Sequence, residues 1–81
     1  MCQHHNHVKE SELEALKVLL AHWIKHNRSH EEGFREWVEK AQEFGLPQVG
    51  EEIKKAADLL LQVEERLIEA QRNYAKANLD N

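Results

Sequence analysis

Three histidines, His22, His26 and His30, are spaced four and four along an 81-residue chain whose six histidines all fall within its first thirty positions. Residues four apart on a helix occupy neighbouring turns of one side, so three imidazoles would line up along a helix, drifting slightly around it. Two such rings can share one metal ion, each presenting a nitrogen about 2 Å from it. The spacing sets His30 on the apolar seam described below and His26 beside it, both facing the interior, and leaves His22 off the seam as a surface residue or outer ligand. Asn27 also lies on the seam. A polar layer then interrupts an otherwise Leu/Trp/Phe core, and it needs partners, because an unpaired buried polar group costs about 1–3 kcal/mol. Two readings account for it. In one, His26, Asn27 and His30 hydrogen-bond to one another or to Glu64 on the opposite helix, fixing register and oligomer state as a buried seam asparagine does. In the other, His26 and His30 are metal ligands. Glu64, Glu31 or Glu65 would then supply oxygen, or the same pair from a second chain would complete four ligands.

The N-terminal segment is a second metal candidate. Cys2, His4, His5 and His7 crowd four metal-competent groups into one short stretch. Histidine-rich tracts of this kind bind nickel, zinc, copper or cobalt loosely. The alternative is a flexible tail with incidental histidines.

Enzyme templates fit poorly. The zinc-protease pattern His-Glu-x-x-His is absent, since His26-Asn27-Arg28-Ser29-His30 holds no glutamate. The Glu-x-x-His motif of di-iron bundles is missing before every histidine. Cys2 could serve as a nucleophile only if something preorganised it, which a mobile terminus cannot do. No glycine-rich phosphate loop is present. Trp23 and Trp37 read as core anchors, and the runs Glu51-Glu52, Lys54-Lys55 and Glu64-Glu65-Arg66 read as solvated faces.

The elements that must position these side chains are two helices. Residues 1–10 form the Cys/His-rich tail, 11–44 a first helix, 45–47 a turn and 47–78 a second helix, with 11–81 making up the hairpin domain. Ser11 and Glu14 have capping-box spacing. Gly45 suits a left-handed helix stop, and Pro47 cannot extend the first helix but can open the second. Between these signals Leu13, Leu16, Leu20, Trp23, Asn27, His30, Phe34, Trp37, Ala41 and Phe44 alternate steps of three and four, and so do Val49, Ile53, Ala56, Leu60, Val63, Leu67, Ala70, Tyr74 and Ala77. Such a seam belongs to a left-handed helical bundle. The short turn makes the helices antiparallel, with Phe34 near Leu60, His30 near Val63, Asn27 near Leu67 and Trp23 near Ala70. Ser29 with Glu32, beside Gly33, could break the first helix, but the seam keeps its register there, which favours a continuous one. Leu19, Ile24, Val38, Ala57, Leu59, Leu61 and Ile68 widen the apolar stripe beyond one seam. A lone hairpin would leave them against water at roughly 25 cal/mol per Å². The expected architecture is therefore all-α, an antiparallel two-helix hairpin assembling as a four-helix bundle (a homodimer) or a higher oligomer.

Composition narrows the partners. The net charge of −4 argues against nucleic acid and anionic membrane, both of which ask for a basic patch. No run approaches the roughly 18 apolar residues of a membrane span. The polar start lacks the apolar core of a secretory signal, and a single cysteine cannot close a disulfide within one chain. These features point to the cytoplasm.

The stretch Leu19-Leu20-Ala21-His22-Trp23-Ile24-Lys25-His26-Asn27, followed by His30, Phe34 and Trp37, resembles a small family of uncharacterised prokaryotic proteins. Its members carry a histidine-rich N-terminal tract and a helical-hairpin domain with a His-Trp-x-x-His-Asn signature. The resemblance implies that the tail and the histidine row belong together and points to metal handling, with no established activity. The sequence thus leads to a non-catalytic homo-oligomeric hairpin that binds a transition metal (Zn, Ni, Cu or Co) in buffering, delivery or sensing. His26 and His30 are its expected core ligands, with His22 and Glu64 as accessories and Cys2, His4, His5 and His7 as a capture tail. Imidazole binds metal as the neutral ring, so binding is expected to weaken as pH falls toward about 5–6. Two alternatives stand beside this reading. One is a metal-free interaction module with a His/Asn specificity layer, and the other is a haem or di-iron redox bundle.

Overall fold

The computed structural model describes residues 10–79. They form two helices, α1 (Glu10–Glu43) and α2 (Pro47–Leu79), packed antiparallel into a rod of 61 × 22 × 16 Å. α1 is continuous through Ser29 and Gly33. It already includes Glu10 and Ser11, so the expected Ser11–Glu14 capping box does not mark its start. None of the described helices is long and apolar enough to cross a membrane.

The turn is built as its sequence requires. Gly45 adopts φ +78°, the left-handed region where a Cβ costs roughly 1–2 kcal/mol. Leu46 N–H then reaches back to Ala41 C=O at 2.8 Å and Gly45 N–H to Gln42 C=O at 3.0 Å, the paired bonds of a Schellman stop. Leu46 C=O accepts from Gly50 N–H at 3.1 Å, so α2 begins at once, with Pro47 in the first-turn position where no N–H is needed.

The contact line between the helices keeps Leu20, Asn27 and Ala41 of the expected seam but is rotated toward Ile24 and Val38, and Ile24 and Ala57, expected to be left against water by a lone hairpin, are buried. Among the described residues the buried side chains are Leu20, Ile24, Ala41 and Ala57, the last fully enclosed, and Gly50 is buried with them. Asn27, Glu31 and Val38 are half-buried on the same stripe of α1. Trp23 and Trp37, expected as core anchors, and the seam residue Phe34 are 42%, 50% and 36% exposed. The reason lies at the turn. A Cβ on Gly50 would lie 3.1 Å from the Val38 carbonyl oxygen and 3.4 Å from the Ala41 Cβ, so the helices leave the turn nearly backbone to backbone. Small residues hold the line of closest approach, and the bulky aromatics are rotated out of it.

Two unlike faces result. At 100° per residue, the α1 positions from Leu16 through Trp23, His30 and Trp37 to Phe44 and the α2 positions from Val49 through Ala56, Val63 and Tyr74 fall on one side, the front. Phe34 and Trp37 meet Ile53 and Ala56 there around a wholly apolar depression of about 260 Å³. The opposite side carries the interhelical ion pairs. Arg28 Nη2 meets Glu64 Oε2 at 2.6 Å. Arg35 donates from Nε to Glu31 at 2.5 Å and from Nη2 to Asp58 at 3.1 Å, and Lys54 reaches Asp58 at 3.4 Å. At the far end Tyr74 O–H donates to Leu13 C=O at 2.7 Å.

Two outcomes test this packing. Gly50→Val places bulk against the Val38 carbonyl and should cost about 2 kcal/mol or more by overpacking, seen as a lower thermal midpoint. An unchanged midpoint would show that the helices are not in close contact there. The Arg35 hydrogen bond, with Lys54 adding to it, holds the Asp58 carboxyl below its ordinary value. That contribution is present above the unfolded carboxylate value of about pH 4 and is lost as pH falls through the lowered folded value. Arg35→Leu should raise the Asp58 midpoint in a carbon-detected NMR titration, whereas identical curves would mean that the pair does not form.

Candidate metal centre and its surroundings

His22, His26 and His30 stand in a row on α1 because two consecutive four-residue steps keep them on one side of an unbroken helix. His22 and His26 stack with centroids 5.8 Å apart and planes 15° from parallel. His26 and His30 meet edge to face at 4.5 Å, and their Nε2 atoms lie 3.0 Å apart. Phe34 continues the row, 6.3 Å beyond His30.

The expectation that His26 and His30 point into the hairpin is corrected, for both are exposed. The stripe facing α2 runs through Leu20, Ile24, Asn27 and Glu31; His30 sits about a quarter-turn from it, on the front, and His26 more than a third of a turn away, at the front's edge. His22 is exposed as expected, with Lys25, His26 and Ser29 around an open depression of about 290 Å³.

The expected polar layer is divided. Asn27 alone reaches the helix–helix contact, where its side-chain amide donates to Leu60 C=O at 2.7 Å. The side chain of Leu67, its expected neighbour, takes no part in that bond. Glu64 does not join the histidines. Its Oε2 accepts from both Nε and Nη2 of Arg28, at 3.1 and 2.6 Å, on the opposite side of α1. Glu31 accepts from Arg35. Arg28 was absent from the sequence-based candidates, although an opposite charge level with Glu64 across a short turn was a usable signal. A backbone carbonyl as the partner of Asn27 leaves no such trace in the sequence.

The structure therefore brings His26 and His30 together, with His22 adjacent, and keeps Glu64 apart. Among the described residues no group of three or more His, Cys, Asp or Glu side chains is placed to hold one ion. Cys2, His4, His5 and His7 lie outside the described residues. The donor set on α1 is thus two imidazoles whose nitrogens can both reach a common point at the 2.0–2.1 Å of a zinc–nitrogen bond. The same 3.0 Å separation lets one ring donate a hydrogen bond to the other.

No solved structure matches the chain. An uncharacterised protein of Archaeoglobus fulgidus is 38% identical over 58 residues, which is 72% of this chain and 92% of that protein. Residues 16–74, the whole histidine row and most of both helices, match a domain of unknown function, DUF8180. The chain belongs to that uncharacterised family.

Proposed function

We propose that this hairpin binds a divalent first-row transition metal through His26 and His30 and serves in buffering, delivery or sensing, without catalysis. The observation that carries the reading is the 3.0 Å separation of the two Nε2 atoms. A common point about 2.05 Å from each subtends an angle near 90–95° at the metal, which suits cis positions of an octahedral or square-planar ion and needs only slight opening for a tetrahedral one. The rings sit at the surface, so an ion reaches them without the hairpin opening. Imidazole selects zinc, copper, nickel or cobalt over magnesium and calcium. His22 stands one turn further along as an outer ligand. The tail groups Cys2, His4, His5 and His7 would capture metal from solution and raise its local concentration at the pair.

A second reading is favoured by a separate observation, the apolar front face. A hairpin with Trp23 and Trp37 about half exposed also suits a metal-free assembly module, in which His26 and His30 bond only to each other.

Calorimetric titration of Zn²⁺, Ni²⁺, Cu²⁺ and Co²⁺ into the full chain separates these readings when three proteins are compared. A full-length variant with Cys2→Ser and His4, His5 and His7→Ala should keep one class of site, and the further double change His26→Ala/His30→Ala should abolish it, lowering affinity at least tenfold. With Co²⁺, the site should show the visible band of nitrogen-coordinated cobalt, lost with the same pair. Equal binding with and without His26 and His30 would overturn the metal reading.

A further inference from the structure

The histidine pair lies within a face that one chain leaves uncovered. Along the front, the α1 positions from Leu16 through Trp23, His30 and Trp37 to Phe44 carry no Asp, Glu, Lys or Arg, and on α2 Glu52, paired with Lys55, edges the line of Val49, Ala56, Val63 and Tyr74. Charge is confined to the flanks and the back. The imidazoles of His26 and His30 are the main polar interruption of this strip. Contiguous apolar faces of this extent mark interaction surfaces. The rod's 61 × 22 Å outline leaves room for the roughly 800 Å² per partner typical of stable interfaces.

Three further facts identify the occupant. First, the metal site is incomplete, since one chain offers two imidazoles where a closed zinc-type site takes four ligands. Second, the pair lies at mid-height, because α1 spans Glu10–Glu43 and its midpoint falls at His26–Asn27. Two rods packed front to front with full overlap and a two-fold axis across them must have that axis at mid-height. Third, a two-fold interface repeats one patch on both sides, so the uncharged α1 strip meets its own copy with no like charges opposed.

We propose that a second copy of this chain docks on the front face, α1 antiparallel upon α1, and that the two His26–His30 pairs meet on the two-fold axis as one four-imidazole site for a divalent transition metal. Each chain's His26 then faces the His30 of the second copy, and Leu19 falls opposite the second copy's Trp37. This rests on the metal reading above and adds its partner and stoichiometry. Metal and dimer stabilise each other, since an ion held by four ligands binds the assembled state more tightly than the single chain.

The test uses the full-length chain with the tail groups replaced as above, followed by analytical ultracentrifugation and Zn²⁺ titration. The expected result is a dimer taking up one Zn²⁺ per two chains. Trp37→Glu, and independently Val63→Glu, should give helical monomers whose Zn²⁺ affinity is at least tenfold weaker although both histidines remain. Both sites are substantially exposed in the single hairpin, and circular dichroism confirms the helices. One Zn²⁺ per chain in a monomer would overturn the shared site while leaving the metal reading intact. A dimer that binds no Zn²⁺ would overturn the shared site and the metal reading together. Unchanged affinity in a monomeric Trp37→Glu or Val63→Glu chain would also overturn the inference.

Discussion

Two straight helices joined by a tight turn touch along a line, and whatever occupies that line decides where every other side chain points. Here the line is set at its base by Gly50 against the Val38 carbonyl and Ala41 and is carried on by the fully enclosed Ala57. Small residues allow close approach, and close approach leaves little room for bulk. The largest apolar side chains are therefore the ones the hairpin cannot enclose. The outward rotation of Trp23, Phe34 and Trp37 follows from the same geometry as the buried glycine.

Polar contacts then fix the sliding position of one helix on the other. Exposed ion pairs such as Arg28–Glu64 and Arg35–Asp58 contribute about 0–1 kcal/mol each, too little to hold the fold. The interhelical pairs are directional, however, and lie on the back, so they favour one register and one handedness of approach. Asn27 acts at closer range. Its amide reaches the Leu60 carbonyl at a point where any slip of one residue would leave a half-buried donor unpaired, at a cost of about 1–3 kcal/mol. The asparagine thus has the register-setting part expected of a seam asparagine, exercised between the two helices of one chain.

The sequence was legible where single residues have only one use. Gly45 and Pro47 announced the stop and the start, and the observed Schellman bonds follow from them. Helix continuity through Ser29 was legible from the unbroken three-four spacing. Rotation was not, because that spacing is met equally by Leu20, Ile24, Asn27, Glu31, Val38 and Ala41 and by the neighbouring set through Trp23, His30 and Trp37. The two stripes differ by less than a quarter-turn. Choosing the more apolar stripe assumes that the strongest hydrophobes face the nearest helix. In this hairpin the facing helix takes the small residues Ala41, Gly50 and Ala57 near the turn and Leu20 and Ile24 farther from it, and the aromatic rings stay outside because space, before hydrophobicity, sets their order of burial. That same choice sent His26 and His30 inward and gave Glu64 to them, when the observed rotation gives Glu64 to Arg28.

Their placement on the front changes the meaning of the histidines. A buried imidazole layer would be a structural device closed within one chain. A pair on an uncharged apolar strip is open on one side, and imidazole is the polar ring most easily kept there, because it can be neutral and one ring can satisfy the other. Carboxylates in the same place would oppose any apolar partner. Two ligands per chain also make a site whose strength depends on what covers it. On the proposed metal reading, the pair alone would hold an ion by half a coordination shell, with water in the remaining positions. Covered by a surface that supplies donors, it would hold the same ion more tightly, and by linkage the ion would hold the cover in return. Metal occupancy and surface burial would then be one equilibrium.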